Sequence, residues 1–303
     1  ERASWFKKAL GPAVDIAFPV VHGTHGEDGT LQGLFELADI PYVGTGVAAS
    51  AAGMDKILSK LLFRGAGLPT LEATWFTRRQ WLQDEAAAIR VVEAGVGYPA
   101  VVKPAVAGSS VGIARAANAQ EFRRAVGQAI QFSPRVLVER ALDDRIEVQC
   151  ALLGNHDPVV SECEELVQSA TIVSFEDKYL RRPEHGEADL APSVIPARIP
   201  EELARRVKEV AAAAFTALDA RGIARVDCLV ERSTMRPFVN EINTLPGSLC
   251  LRLWEASGVP PAALIKRLLS LALEAHEEKA RTRFESPEGA GLVDRKHLMS
   301  PGK

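Results

Sequence analysis

The 303 residues, 47% hydrophobic and 25% charged, describe a globular chain too long for one compact core and suited to roughly two or three domains. Fibrous and disordered classes are excluded, and so is a spanning helix: there is no run of about 18 uncharged apolar residues, and even Val210 to Leu218 is short and mostly alanine. A formal charge of -3 and 6% aromatic content leave no general pull toward nucleic acid or anionic lipid, so an anionic ligand must meet local charge.

In chain order, Val14 to Val21 is an apolar β-rich run that empties into the loop His22 to Gly29, followed by helical spacing at Leu31, Leu34, Phe35 and Ala38. A short strand at Pro41 to Val43 and a helix around Ile57, Leu58, Leu61 and Leu62 come next, and residues 1–50 read as part of an α/β layer. Trp75 and Phe76 predict a strand, Gln80 to Ala94 a helix, and Tyr98 to Lys103 another strand before the Gly/Ser loop at residues 107–112. Asn118 caps a further helix, with Glu121 three residues on, and Arg135 to Arg140 is a buried strand. Residues 51–139 thus form a small α+β unit, and residues 140–303 a third domain.

That third domain opens on a half-buried strand, Ile146, Val148, Cys150 and Leu152 alternating, and turns at Asn155 to Pro158. Residues 165–198 are charged and weakly periodic, the signature of a lid or a disordered connection. A long helix follows from Pro200 to Leu218, and the polar tail from Glu277 is expected to pack loosely. Cys150, Cys163, Cys228 and Cys250 lie far apart without a C-x-x-C pair, which predicts buried thiols in a reducing cytoplasm rather than disulfides or metal ligands. The chain opens on Glu1 with no secretory signal pattern, so a preceding segment is expected.

Two strands carry the sharpest chemistry. Period-two alternation puts Arg225 and Asp227 on one face of the strand Ile223 to Val230, and aligns Glu241 with Asn243 on the next. A turn at residues 232–236 pairs the strands, bringing two carboxylates and an amide oxygen together beside an arginine. Such a partial hard-oxygen set suits magnesium, with substrate phosphates and water completing the octahedron. The bland alternative, a solvated polar sheet face, does not account for three polar groups and a counter-charge on otherwise apolar strands. Residues 108–112 follow a strand bearing Lys103 and offer N–H groups and hydroxyls to phosphate, although Gly/Ser loops usually only connect elements. Lys178 in the long loop adds a second cation, and Tyr179 beside it reads either as edge packing or as a substrate contact.

These residues resemble the D-alanine–D-alanine ligase family of the ATP-grasp superfamily over nearly the whole chain. The matches are His22 to Gly33 (HGTHGEDGTLQG), Met54 to Lys56 (MDK), Val101 to Pro104 (VVKP), Gly108 to Gly112 (GSSVG), Val138-Glu139, Lys178-Tyr179, Arg225 to Asp227 (RVD) and Glu241 to Gly247 (EINTLPG). The resemblance implies three domains, with ATP clasped between the central and C-terminal ones and an N-terminal α/β domain that is truncated here. Carried over residue by residue, Lys56, Lys103 and Lys178 touch ATP phosphates, Glu139, Arg140 and Leu142 line the adenine hinge, and Glu147 holds the ribose. Asp227, Glu241 and Asn243 bind two magnesium ions, for which manganese can substitute. His22 lies near the first amino acid, Ser109 and Tyr179 orient it and close the loop, and Arg225 with the Gly247 amide stabilises the oxyanion.

The implied reaction phosphorylates the carboxylate of one D-alanine with ATP and joins it to the amine of a second, for peptidoglycan precursor synthesis by a cytoplasmic homodimer acting on small molecules. Two departures from the family are visible. Its opening strand, glycine turn and ammonium-binding glutamate lie upstream of this chain. The serine-containing stretch after Pro246-Gly247 is short, leaving Ser248 as the expected carboxylate contact and Arg252 as a weaker candidate. Rival readings are a ligase taking D-lactate, D-serine or another second substrate, a nucleotide-binding protein without turnover, and a phosphotransferase, which Arg225 and the Pro246-Gly247 turn disfavour.

Overall fold

The computed structural model describes residues 14–108, 111–167 and 192–282. Near the start, Ala17 and Tyr42 form a single parallel bridge, with Ala17 N donating to Pro41 O at 2.8 Å and Val43 N to Ala17 O at 2.9 Å. The strands expected over Val14–Val21 and Pro41–Val43 are thus reduced to that bridge; Pro19 has no N–H to extend the pairing. Helices α1 (Thr30–Ala38), α2 (Val47–Met54) and α3 (Lys56–Gly65) follow. Asp55 caps α3, its Oδ1 accepting from Ile57 N at 3.0 Å and Leu58 N at 3.2 Å, and so fixes where Lys56 leaves the first turn.

The next unit runs β1 (Ala73–Thr77), α4 (Arg78–Gln83), α5 (Glu85–Gly95), β2 (Ala100–Pro104), β3 (Ala114–Ala116), α6 (Ala119–Phe132) and β4 (Arg135–Arg140). Its strands form an antiparallel sheet in the order β1-β4-β2-β3. The single helix expected over residues 80–94 is two, because Asp84 leaves helical geometry and its Oδ1 accepts from Ala87 N at 2.8 Å to start α5 afresh. Asn118 caps α6 as expected, accepting from Gln120 N and Glu121 N at 3.0 Å, while Glu121 reaches one residue further back, to Ala117 N at 2.8 Å. Beneath the sheet Phe76 stacks on Trp81 with centroids 5.7 Å apart, and Trp81 meets Phe122 edge to face at 5.9 Å.

The second sheet holds β5 (Arg145–Gly154), β6 (Val159–Val160), β7 (Glu164–Leu166), β8 (Ser193–Val194), β9 (Gly222–Glu231) and β10 (Arg236–Asn243), in the order β10-β9-β5-β7-β8 with β6 also on β5, all antiparallel. Helix α7 (Glu201–Ala217) lays Leu203, Val207, Ala211 and Phe215 on Val148, Cys150, Val226 and Cys228. Ala49 and Phe63 join the same cluster, so α2 and α3 pack on this sheet although they precede the first one in sequence. On the opposite face, α8 (Leu251–Ala256) and α9 (Pro261–Ala280) cover Ala151, Leu153 and Ile223 with Leu253, Trp254, Leu264 and Leu268. The tail expected to be loose from Glu277 is helical as far as Ala280. Among the described residues no helix is long and apolar enough to cross a membrane.

The segment at residues 165–198 is not wholly irregular. Its two ends are antiparallel strands, Glu165 opposite Val194 and Leu166 opposite Ser193, closed by Val167 N donating to Pro192 O at 2.7 Å. All four cysteines are free and buried, as expected. At the N-terminal side, Gly222 (φ 69°) brings its backbone so near Gly44 that a Cβ would lie 3.1 Å from the Gly44 N and Cα atoms. Gly222→Ala should therefore cost about 1–3 kcal/mol through strain and overpacking. A urea unfolding midpoint equal to that of the wild type would show that this contact is not tight.

Candidate active site

The cleft face of the second sheet is set by strand register. Asp227 is the Cα partner of Glu241 across β9 and β10, Arg225 that of Asn243, and Gln149 lies opposite Asp227 on the other side. A bulge between Val239 and Glu241 inserts Asn240, so that Val239 is buried with α7 while Asn240 and Glu241 both leave the core. Arg225 grips Asp227 through both oxygens, Nε to Oδ1 at 2.6 Å and Nη2 to Oδ2 at 2.8 Å, and Asn243 Nδ2 donates to Asp227 Oδ2 at 3.2 Å. Burial pushes the Asp227 carboxyl above its ordinary range against the pull of Arg225, with Glu241 and Glu147 adding to the push. Glu241 is held down at about 2, chiefly by Lys56, whose Nζ lies 3.2 Å from Oε2.

This donor set fits a hard divalent cation. Two carboxylates and the amide oxygen of Asn243 share one face, and burial leaves the Asp227 carboxylate short of the solvation that a cation would replace. Among the described residues no group of three or more His, Cys, Asp or Glu side chains forms a self-sufficient metal cage, so the set is partial and leaves positions for phosphate and water.

Facing it, β2 and α3 supply cations. Lys56 Nζ donates to Ala107 O at 3.0 Å besides meeting Glu241. Lys103 Nζ lies 2.5 Å from Glu139 Oε2 and donates to Asn240 Oδ1 at 3.0 Å, which ties the first sheet to the second. Glu139 also pairs with Lys60. Although burial alone would raise it, Glu139 is held at about 2 by these two lysines. A cavity of about 370 Å³ opens beside them, walled by Leu71, Val101, Ile113, Leu142 and Leu229 and edged by Lys103, Glu139, Arg140, Glu147 and Asn240. Its apolar walls and polar edge suit a planar base with a sugar and phosphates attached.

The third wall is the turn after β10. His22 Nδ1 lies 3.1 Å from Leu245 O and fastens the N-terminal loop there. Gly247 and Ser248 are exposed, and Ser248, Leu249 and Cys250 have φ of 48°, 51° and 53°, three successive left-handed residues without a glycine. Below the turn Gln149 Nε2 donates to Glu164 Oε2 at 2.5 Å, while Arg252 lies 3.6 Å from Glu164 Oε1 and donates to Ser193 Oγ at 3.1 Å.

The site residues expected from sequence thus converge where they are described. Lys56, Lys103, Asp227, Glu241 and Asn243 meet at the cleft, Glu139, Arg140, Leu142 and Glu147 line the cavity, and His22, Gly247 and Ser248 close the far end. Two of them are more engaged than a hinge role requires: the Glu139 side chain is buried between lysines, and Arg140 bonds Glu72 at 2.7 Å and Glu231 at 3.3 Å. Ser109, Lys178 and Tyr179 lie outside the described residues. Lys60, Asn240, Gln149 and Glu164 escape a reading by motif. Asn240 is visible only through the bulge; Lys60 stands four residues after Lys56, on the same helix face, and that spacing is the signal that finds it.

Two antiparallel sheets facing across a cleft, with Lys103 on one, Lys56 on the helix beside it and hard oxygens on the other, are the architecture of an ATP-grasp ligase. Sequence profiles described as "D-ala D-ala ligase C-terminus" and "D-ala D-ala ligase N-terminus" match residues 62–270 and 1–45. The D-alanine--D-alanine ligase of Acetivibrio thermocellus is 41% identical over 93% of this chain and 73% of the relative. That of Geobacillus thermodenitrificans is 42% identical over 88% and 72%. Among solved structures, the D-alanine-D-alanine ligase from Coxiella burnetii superposes with a TM-score of 0.75 at 32% identity, covering 89% of this chain and 71% of that one. The VanG D-Ala:D-Ser ligase from Enterococcus faecalis gives 0.75 at 34%, covering 86% and 74%. The chain belongs to the D-alanine–D-alanine ligase family. Membership implies ATP as co-substrate and a divalent cation.

A pH dependence follows from the two depressed carboxyls. Their folded-state values near 2 lie below the unfolded value near 4.3, so both stabilise the fold above about pH 4.3, and that contribution is lost as pH falls toward 2. Glu139→Gln should lower stability at neutral pH by leaving two buried lysines uncompensated, and should flatten the acid limb of stability against pH. Urea midpoints between pH 5 and 2 measure this; an acid limb as steep as that of the wild type would refute the Glu139 contribution.

Proposed function

We propose that the chain is an ATP-dependent ligase that forms D-alanyl-D-alanine through an acyl phosphate, for peptidoglycan precursor synthesis. The observation that carries this reading is the meeting of Lys56 and Lys103 with Glu241 and Asn240 across one cleft, where phosphate, metal and carboxylate chemistry must coincide. By analogy with the family, the enzyme is a cytoplasmic homodimer acting on small molecules.

A carboxylate is a poor electrophile because it is anionic, and phosphorylation gives it a leaving group whose charge the site already offsets. Lys56 and Lys103, with Lys178 by resemblance, hold the nucleotide phosphates. The apolar cavity takes adenine against Leu71, Val101 and Leu142, with Glu147 at the ribose. Asp227, Glu241 and Asn243 would hold two magnesium or manganese ions, which supply charge neutralisation to the transferring phosphoryl group. His22 and the Leu245 carbonyl it reaches border the first D-alanine, while Ser109 and Tyr179 orient it. When the second amine attacks, Arg225 and the Gly247 N–H stabilise the tetrahedral oxyanion, donors of this kind being worth on the order of 3 kcal/mol each. Residues 165–198, anchored by β7 and β8, exclude water from the acyl phosphate.

A second reading keeps the chemistry and changes the second substrate. The run of left-handed residues from Ser248 to Cys250 makes a short, sharply turned wall, and Glu164 with Arg252 lies beneath it. A D-Ala:D-Ser ligase stands among the similar structures. Such a wall suits a second substrate with a polar side chain, such as D-serine.

ATP incubated with D-alanine, alone and with D-serine or D-lactate, distinguishes the readings through phosphate release and product mass. D-alanyl-D-alanine is expected from D-alanine alone. A mixed product only would favour the second reading, and nucleotide binding without phosphate release would defeat both. Glu241→Gln should cut phosphate release on the order of a hundredfold or more with folding retained, since metal charge stabilisation is worth several kcal/mol. Turnover retained at the wild-type rate would remove Glu241 from the metal site. Ser248→Ala should chiefly raise KM for the second substrate, and an unchanged KM would rule out a carboxylate contact there.

A further inference from the structure

Lys60 has no role in the scheme above, yet it is 4% exposed and ion-paired with Glu139, itself 1% exposed. Glu139 is bracketed: Oε1 meets Lys60, and Oε2 meets Lys103 at 2.5 Å. Lys103 and Glu139 border the nucleotide cavity, whereas Lys60 is not among the residues that line it and stands behind the carboxylate. Burial holds the Lys60 ammonium below its ordinary value, with Glu139 opposing the shift and Lys103 adding to it. Interring three charges is an inefficient way to stabilise a fold, because apolar residues of the same volume commonly do as well or better. The arrangement calls for another reason.

Charge arithmetic supplies one. A lone Glu139–Lys103 pair would be neutral, its carboxylate consuming the charge that a phosphate needs. Two ammonium groups on one carboxylate leave a net +1, and the only member of the trio whose head also points across the cleft is Lys103, through Asn240 Oδ1 at 3.0 Å. Glu139 therefore fixes the direction of Lys103 without cancelling it.

We propose that Lys60 is a positioning residue for the nucleotide: it neutralises Glu139 from behind, so that the Lys60–Glu139–Lys103 cluster presents one net positive charge, on Lys103, to a phosphate of ATP. The proposal rests on the reading of the cleft as an ATP site and adds to it a residue that never touches the nucleotide.

The test is calorimetric binding of magnesium with a non-hydrolysable ATP analogue, and separately of adenosine, to the full chain. Lys60→Met removes the charge at similar length and leaves the cluster neutral. It should weaken the analogue on the order of tenfold or more, as expected for one uncompensated charge in a partly buried site, and leave adenosine unchanged. Lys60→Met/Glu139→Gln restores the net charge to +1 and should bind the analogue more tightly than Lys60→Met does, once each affinity is divided by that variant's own affinity for adenosine. A purely structural Lys60 predicts the reverse, with analogue and adenosine falling together and the double variant weaker still; either result overturns the proposal. If Lys60→Met alone does not fold, Lys60→Met/Glu139→Gln is compared with Glu139→Gln, which keeps both lysines: the analogue-to-adenosine affinity ratio should be lower in the double variant, which carries one positive charge fewer, and equal ratios overturn the proposal. Failure of the wild type to bind the analogue at all would instead defeat the ATP reading.

Discussion

The site depends on the pairing of β9 with β10. Antiparallel register places Asp227 opposite Glu241 and Arg225 opposite Asn243, and the bulge at Asn240 decides which side chains face the cleft. With strict alternation Val239 would share a face with Glu241. The extra residue sends Val239 into the core beside α7 and lets Asn240 reach Lys103 while Glu241 reaches Lys56. One irregularity thus reconciles a buried strand with a charged one and creates both contacts across the cleft, one to β2 and one to α3.

Those bridges have an energetic sense. Lys56 on α3 and Lys103 on β2 face a carboxylate and an amide of β10, so neither is left as an uncompensated charge in a half-buried cleft. In the proposed reaction phosphate oxygens would take over the lysines while a divalent cation takes over Glu241, exchanging one set of charge-assisted contacts for another. Binding then rearranges partners rather than desolvating bare ions, and the elements on which Lys56 and Lys103 sit, α3 and β2, need not move far.

Much of this was legible from residue pattern, and the limits are physical. The pair Asp227 and Glu241 follows from period two and a turn of suitable length, because polar residues on an apolar strand have few destinations. The caps at Asp84 and Asn118 follow from side chains that satisfy free N–H groups, yet Asp84 was hidden within a continuous helical period until its own geometry broke it. The runs at Val14–Val21 and Pro41–Val43 predict two strands where the chain makes one bridge, because apolar β-branched runs do not reveal whether partners exist. Lys60 stands one helical turn after Lys56, and Gln149 falls on the polar side of an alternating strand, but neither pattern names a partner: those partners, Glu139 and Glu164, lie far along the chain, and only the assembled sheets bring them close.

The turn from Gly247 to Cys250 shows the reverse, a short sequence whose meaning lies in its backbone. Three successive non-glycine residues at positive φ are each strained by on the order of 1 kcal/mol, and persist only where the surroundings over-determine them. Here the surroundings are evident: Leu245 is fixed by His22 on one side, and Leu253 and Trp254 are buried on the other. Between two anchored points a chain this short cannot relax, so it turns left-handed and exposes Gly247 and Ser248 at the cleft rim. In the proposed reaction, strain at the rim would stiffen the wall that the second substrate passes, and selectivity for that substrate would rest on the rigid shape of this turn as much as on the polar groups around it.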